Sequence, residues 1–248
     1  MSGIFQDIAA AFQFLTRLPL NRLAYKPDAL PRAVKYFPLV GLAVGAAVAG
    51  LYCLLSTHLP IAVVALLIVL FSTLMTGGMH EDGLADATDA FGGGWNRQQV
   101  LEIMKDSRIG SFGALALFFS VGGRVLLLAY LPAGSFVQYV ISAEVLCRWV
   151  VLPLGAALPG TGEQGSQGAR IARQVSGISL ATGTLISLGV VGFMMRQAAV
   201  WPVAAASVVT LLSGLYFKNR IGGITGDCFG ATSQVTLLAV YLCGVWRA

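Results

Sequence analysis

Three aspartates in residues 75–113 have a spacing that could hold a divalent metal ion. Asp82, Asp86 and Asp89 stand at i, i+4 and i+7, so on a helix they share one narrow face. Carboxylates placed in this way repel one another unless a cation lies between them, and their oxygen atoms suit Mg²⁺, or Mn²⁺, shared with substrate phosphates. Such a site could polarise a phosphoryl group and stabilise an attacking or leaving oxygen. The alternative is a solvated acidic loop in which Asp89 only caps a helix.

Further ionisable residues surround these aspartates. The same stretch holds six of the protein's eleven carboxylates, although only 11% of all residues are charged. His80 could bind metal or act as a general base, and its alternative is a hydrogen-bonded histidine at a helix end. Glu81 could be an outer metal ligand, and Asp227 could be a further ligand or the N-cap of a helix. We therefore predict as catalytic residues Asp82, Asp86 and His80, and as metal ligands Asp82, Asp86, Asp89, Glu81 and Asp227.

A second group of charged residues could bind phosphate. The segment LEIMKDSRIGSFG is predicted to form one helical run, in which Lys105 and Arg108 are i, i+3 neighbours that clamp a phosphate. Asp106 could complete the metal shell or orient Arg108, and the alternative for the group is a surface ion-pair network. Arg148 could reach the same site from a membrane segment, although a structural ion pair with Glu144 at i, i+4 is its default interpretation.

The rest of the chain is apolar enough to form membrane helices. Hydrophobic residues make up 56% of it and the mean hydropathy is +0.78, well above the norm for soluble proteins. We predict an all-α, polytopic transmembrane helical bundle, with residues 1–248 as one domain. An amphipathic helix at 4–16 is expected to lie in the membrane interface or to pack on the bundle; its apolar side holds Ile4, Phe5, Ile8, Phe12 and Leu15. About seven spans of roughly 20 residues are predicted: 37–57, 60–79, 111–131, 136–158, 178–195, 198–217 and 232–246.

The basic residues between these spans indicate the topology. With alternating sides, twelve Lys and Arg residues fall on one face and two on the other, which places the N-terminus and the three long loops in the cytoplasm. These loops, 80–110, 159–177 and 218–231, can therefore build one site. Arg170 and Arg173 could meet a phosphate or a lipid headgroup there, or belong to a plain connector. Because no basic cluster is interleaved with aromatic residues, we expect no nucleic-acid partner; a homo-oligomer is left open.

Three long blocks of the sequence are specific enough to indicate a family. They are TGGMHEDGLADATDAFGG (76–93), LEIMKDSRIGSFGALAL (101–117) and TGDCFGA (225–231). With shorter blocks they cover nearly the whole chain, which resembles the cobalamin synthase family, the adenosylcobinamide-GDP ribazoletransferases. The family pattern includes Asp82, Asp86, Asp89, the KDSR block and Asp227. Glu81 departs from it, because relatives commonly carry an apolar residue there.

The resemblance implies a reaction, its substrates and a location. Enzymes of this family transfer the cobinamide phosphate of adenosylcobinamide-GDP to a hydroxyl of alpha-ribazole or of its 5′-phosphate, which releases GMP and forms adenosylcobalamin or its phosphate. Mg²⁺ is the implied cofactor. The implied location is the lipid bilayer of the bacterial cytoplasmic (inner) membrane, with the active site facing the cytoplasm.

Two other classes share some of these features. A CDP-alcohol phosphotransferase-like enzyme of lipid synthesis also uses aspartates along a membrane helix, but its pattern places an arginine where Asp86 stands here and adds a GxxxD spacing that is absent. An ion or metal transporter needs carboxylates deep within its spans, ideally in repeated halves. Only Glu144 meets that requirement, and no repeat is evident.

Overall fold

The computed structural model of the protein is built from helices. It describes residues 3–19, 29–161, 171–172 and 175–246. Within these residues the helices are α1 (Gly3–Leu15), α2 (Leu30–Ala33), α3 (Phe37–Leu55), α4 (Ile61–Thr76), α5 (Met79–Gly93), α6 (Arg97–Ile103), α7 (Ser111–Tyr130), α8 (Phe136–Trp149), α9 (Val151–Ala157), α10 (Gly177–Met195), α11 (Val200–Ile221) and α12 (Gly226–Trp246). Short 3₁₀ turns follow α2 and α10. The predicted all-α membrane fold is confirmed.

The number of spans differs from the predicted seven. In the described part of the chain, five helical stretches are long and apolar enough to cross a membrane, or six if α4 and α5 together count as one bent span. One of the five is the 45-residue stretch Gly177–Ile221, which is more than twice the roughly 20 residues that a crossing needs. It breaks at Arg196, whose φ of 52° is rare for a residue with a side chain. The predicted spans 178–195 and 198–217 meet at this break, and the count of seven stays a prediction.

Large apolar side chains cover the outside of the bundle. They lie exposed on α7, α10 and α11, with Phe118, Phe193 and Leu211 as examples. Exposed apolar surface of this extent would be a liability in water. An apolar outer surface is expected for helices that are surrounded by lipid chains.

Helices α3 and α8 make the most extensive helix–helix contact of the bundle. Glycines allow their backbones to approach closely. A Cβ atom on Gly45 would lie 2.9 Å from the Cα atom of Ile141, and one on Gly41 would clash with the carbonyl oxygen of Glu144. Small residues at such crossings allow the close van der Waals packing that drives helix association in lipid.

Helix α1 packs on the bundle, which was one of its two predicted positions, and Leu15 of its predicted apolar side is 2% exposed. Ile4 and Phe5 are 58% and 46% exposed, whereas Asp7 is buried. The Asp7 carboxylate lies 3.2 Å from Nε of Arg32 and 3.9 Å from Nζ of Lys35. The ion pairs compensate the burial of the Asp7 charge, and the exposed Ile4 and Phe5 agree with the membrane interface as the other predicted position.

A sharp corner separates the apolar helix α4 from the polar helix α5. Gly77 and Gly78 both have a φ of 71°, a conformation that favours glycine because it has no Cβ, and the two helices meet at 90°. The backbone N–H of Arg17 donates to the carbonyl oxygen of Met75 at 2.7 Å, so the residues after α1 hold the corner. We describe α5 as lying outside the spans, since it turns away from the apolar arm and carries five ionisable residues.

The first prediction concerns the contact between α3 and α8. Gly41→Ala should destabilise the protein by about 1–3 kcal/mol, because the new methyl group meets backbone that cannot move aside. Gly50→Ala on the same helix is the matched control, since nothing lies within 4 Å of a Cβ there, and it should be neutral or stabilising by up to about 1 kcal/mol. Unfolding of both variants in detergent micelles measures the difference; equal stabilities would contradict the close contact.

Candidate active site

The site is assembled where α5 crosses α12. A Cβ atom on Gly83 would lie 3.1 Å from the Cα atom of Asp227 and 3.3 Å from that of Gly230. No side chain separates the two helices at this point. The crossing therefore places Asp82 and Asp86 of α5 beside Asp227 of α12.

The four predicted aspartates share one electrostatic environment. The pKa of Asp86 is raised to about 6, first by burial and then by the negative charges of Asp82, Asp227 and Asp89. Each of these carboxylates is therefore close enough to disfavour a negative charge on Asp86. A cation bound among them would relieve this repulsion.

The donor set fits Mg²⁺ without forming a closed cage. Among the described residues, no three His, Cys, Asp or Glu side chains already stand close enough to enclose a metal ion. Mg²⁺ commonly takes only one or two protein carboxylates and completes its shell with waters and substrate phosphates. Asp82 is exposed, and Asp86 and Asp227 are half-buried, so their oxygen atoms are accessible to such an ion. Metal binding stays a prediction.

Asp89 has a second function that the structure shows directly. Its carboxylate accepts hydrogen bonds from the backbone N–H groups of Gly110 at 2.7 Å and Gly113 at 2.8 Å, where α7 begins. An ionised carboxylate is favourable at a helix N-terminus. Asp89 thus ties α5 to α7, as the capping alternative suggested, while its role as a metal ligand stays a prediction.

Asp227 does not cap α12, which was the alternative to its role as a ligand. Thr225 precedes the helix, and its hydroxyl accepts from the backbone N–H of Cys228 at 3.4 Å. Asp227 stands at the second position of the helix and its carboxylate lines a cavity. The carboxylate therefore remains available at the crossing with α5.

Glu81 is held in a buried ion pair. Its Oε1 atom lies 2.9 Å from a guanidinium nitrogen of Arg124 on α7 and accepts from the hydroxyl of Thr73 at 3.1 Å. Its Oε2 atom has no hydrogen-bond partner in the described part of the chain. The ion pair is observed, whereas the metal-ligand role of Glu81 stays a prediction. The sequence did not reveal that Arg124 is the partner of Glu81. An arginine in an apolar segment was nevertheless a signal that Arg124 needed an acidic partner.

His80 is influenced by the charge of a second buried ion pair. Arg148 is 1% exposed and bonds Glu144 at i, i+4, as its default interpretation predicted. The pKa of His80 is lowered to about 4, first by burial and then by the charge of Arg148, with Glu81 opposing the shift. The imidazole is therefore neutral at pH 7, the form that can accept a proton, although such a low pKa makes it a weak base.

The residues predicted to bind phosphate do not lie on the single helix that was expected. Helix α6 ends at Ile103, and residues 104–110 form a connection before α7, so the single helical run was wrong. Arg108 donates to both carboxylate oxygens of Asp106, and the Arg108 side chain is 87% exposed. This pairing lowers the pKa of Asp106 to about 2. The observed contact is a surface ion pair, which was the alternative for this group, and the roles of Asp106 in orienting Arg108 or completing a metal shell stay predictions.

A cavity of about 360 Å³ opens beside the carboxylates. Its polar lining includes His80, Asp82, Lys105, Thr161 and Asp227. Residues from the N-terminal arm and from all three long loops contribute to its wall, so these distant segments meet at one end of the bundle. Arg108 and Arg148 are not among the described residues of this wall, and their roles in binding phosphate stay predictions.

Two arginines bond helix ends near the site, which the sequence did not predict. Nε of Arg97 donates to the carbonyl oxygen of Ile221 at 2.8 Å. Arg220 donates to the carbonyl oxygen of Gly94 at 2.7 Å, next to the C-terminal end of α5. Both cations therefore stabilise helix ends that carry partial negative charge. Arg170 and Arg173, which could meet a phosphate, lie outside the described residues.

Comparison with known families agrees with this arrangement. The family profile described as cobalamin-5-phosphate synthase matches residues 7–245. The chain belongs to this family. The match includes every predicted site residue, and it spans both helices that form the crossing.

Curated relatives in distant bacteria are similar along nearly their whole length. The adenosylcobinamide-GDP ribazoletransferase of Polaromonas sp. is 38% identical over 98% of this chain and 97% of its own. The enzyme of the same name from Leptospira interrogans is 37% identical over 94% and 92%, and that from Sinorhizobium medicae is 38% identical over 95% and 94%. No solved structure matches the chain.

The second prediction separates the two roles of Glu81. Glu81→Ala leaves Arg124 buried without its partner, so it should lower the free energy of unfolding by about 3–5 kcal/mol. Replacing both residues by leucine should restore most of that loss, because no uncompensated charge remains. Thermal melting of the single and double variants tests this. If Glu81→Ala instead melts like the wild type and only raises the Mg²⁺ concentration needed for activity, Glu81 is a metal ligand.

Proposed function

We propose that the protein transfers the cobinamide phosphate of adenosylcobinamide-GDP to a hydroxyl of alpha-ribazole or of its 5′-phosphate, with release of GMP. The observation that carries this proposal is the crossing of α5 and α12, which gathers Asp82, Asp86 and Asp227 beside a cavity. A site of this kind suits phosphoryl transfer, in which positioning and charge stabilisation supply most of the catalysis. The name shared by the relatives, adenosylcobinamide-GDP ribazoletransferase, supports the same reaction.

The reaction needs one bond to form and one to break. The acceptor oxygen forms a bond to the phosphorus that carries cobinamide, and the bond from that phosphorus to the bridging oxygen breaks, so the electron pair leaves with GMP. Asp86 or His80 takes the proton of the attacking hydroxyl. Asp82, Asp86 and Asp227 would hold Mg²⁺, which would neutralise charge on the phosphate oxygens.

The basic residues would position the donor pyrophosphate. Lys105 belongs to the cavity wall, where an ammonium group can contact a phosphate oxygen near the carboxylates. Arg108 presents its guanidinium to solvent, held by Asp106, and could grip the second phosphate with two parallel hydrogen bonds. No covalent intermediate with the protein is required, because positioned groups suffice for a direct displacement.

The orientation in the membrane follows from charge. The site lies at the end of the bundle where the N-terminal arm and the long loops meet, and these segments hold twelve of the sixteen Lys and Arg residues. We infer that this end faces the cytoplasm of a bacterial inner membrane.

The third prediction concerns the metal. Asp82→Asn should lower kcat by at least about a hundredfold, because a neutral amide binds Mg²⁺ weakly and no longer stabilises it beside the phosphate. Asp227→Asn should do the same. GMP release measured against Mg²⁺ concentration tests both, with Glu102→Gln as the control, since that carboxylate is exposed on α6. Near-normal turnover of Asp82→Asn at saturating Mg²⁺ would remove Asp82 from the metal site.

The fourth prediction concerns the orientation. In a variant free of native cysteines, single cysteines at Asn96 and Asn219, which are both exposed, should react with an impermeant maleimide only from the cytoplasmic side. A cysteine at exposed His58, in the connection between α3 and α4, should react only from the opposite side. Gln167 would be the matching position in the 159–177 loop, but it lies outside the described residues. Reaction of Asn96→Cys and Asn219→Cys from different sides would contradict a shared site.

A further inference from the structure

The cavity beside the carboxylates has an aromatic wall. Phe14, Phe37 and Phe229 line it, together with Leu101 and Met104. The rings of Phe14 and Phe37 are stacked, with centroids 5.7 Å apart and planes 18° apart. Apolar walls with a few placed polar groups are typical of small-molecule sites, and aromatic walls favour flat, uncharged rings.

One polar atom in this wall has no partner. Thr161 is only 8% exposed and lines the cavity, and its Oγ1 atom makes no hydrogen bond within the described part of the chain. Its backbone is fixed, because its N–H donates to the carbonyl oxygen of Ile224 at 2.8 Å. Buried hydroxyls are nearly always hydrogen-bonded, so an unpaired one held against a cavity indicates a ligand.

We propose that this cavity binds the nucleoside acceptor, with its aromatic base against the phenylalanines and its free ring nitrogen hydrogen-bonded to the Thr161 hydroxyl. This inference rests on the proposed function and assigns its two substrates to different places. The acceptor hydroxyl then reaches Asp82 and Asp227 from the cavity. The corrin part of the donor lies outside it, and the donor pyrophosphate meets the acceptor hydroxyl at the carboxylates beside Lys105.

The size of the cavity supports this assignment. Its 360 Å³ is at the lower end of the roughly 300–1,000 Å³ of small-molecule pockets. A nucleoside fits such a volume, whereas a corrin ring with its side chains and adenosyl group is several times larger.

The chemistry of the wall distinguishes the acceptor base from the guanine of the donor. A benzimidazole nucleoside presents one free ring nitrogen, whereas guanine presents several donors and acceptors on its edges. Among the buried polar side-chain atoms that lack a partner in the described residues, only Oγ1 of Thr161 belongs to the cavity. The unpaired Thr161 hydroxyl can donate to the single ring acceptor of the benzimidazole base, and the donor KM of Thr161→Val tests whether guanine lies here instead.

The test is Thr161→Val, which removes the hydroxyl and keeps the shape. It should raise KM for alpha-ribazole about fivefold to tenfold, the effect of one hydrogen bond, and leave KM for adenosylcobinamide-GDP within about twofold. Thr210→Val is the matched control, since Thr210 is equally buried on α11 and bonds the carbonyl oxygen of Ala206. It should change neither KM. Thr161→Ser, which keeps the hydroxyl, should retain the wild-type KM for the acceptor.

An acceptor analogue with C–H in place of the free ring nitrogen completes the experiment. The wild type should bind alpha-ribazole about fivefold to tenfold more tightly than the analogue, measured by calorimetry without donor, and Thr161→Val should not distinguish the two. A raised KM for the donor alone, or unchanged acceptor binding in Thr161→Val, would overturn the inference. If the wild type binds alpha-ribazole in this way but releases no GMP from the donor, the proposed reaction fails and the binding site stands.

Discussion

The backbone contact between α5 and α12 is the constraint on which the site depends. Gly83 and Gly230 leave no side chain between the helices, so carboxylates from two distant parts of the chain come together. The contact also brings like charges close to each other, which raises the pKa of Asp86. The fold tolerates this repulsion because other interactions hold α5 in place: Asp89 bonds the start of α7, Glu81 pairs with Arg124, and Arg220 binds beyond the other end of α5.

Much of this arrangement could be predicted from the sequence. Composition and apolar runs predict a helical membrane protein, and the acidic stretch indicates where the chemistry lies. The local pair of Arg148 and Glu144 was predictable too, because i, i+4 neighbours on a helix must meet. The three long loops were expected to share one face from their charges alone, and residues from all of them line the cavity.

The errors arose where tertiary contacts override a local pattern. The KDSR segment was predicted to be helical. The Asp89 carboxylate instead accepts a hydrogen bond from the backbone N–H of Gly110, and α7 begins separately at this point. Arg124 and Glu81 are 43 positions apart, and no periodicity of the sequence connects them. Pairings between distant residues depend on helix packing, which a single sequence does not specify.

The ion pair between Glu81 and Arg124 has a consequence for how the protein enters the membrane. An unpaired arginine in the middle of an apolar segment makes insertion less favourable by roughly 2.5–3.5 kcal/mol. Because the chain is synthesised from its N-terminus, Glu81 leaves the ribosome before Arg124 does. The Glu81 carboxylate, just after α4, is therefore present when α7 emerges. Helix α7 is apolar enough to cross the membrane with this arginine, and pairing with Glu81 offsets part of the cost of burying the charge. The corner after α4 therefore favours the inserted position of a helix that the chain makes later.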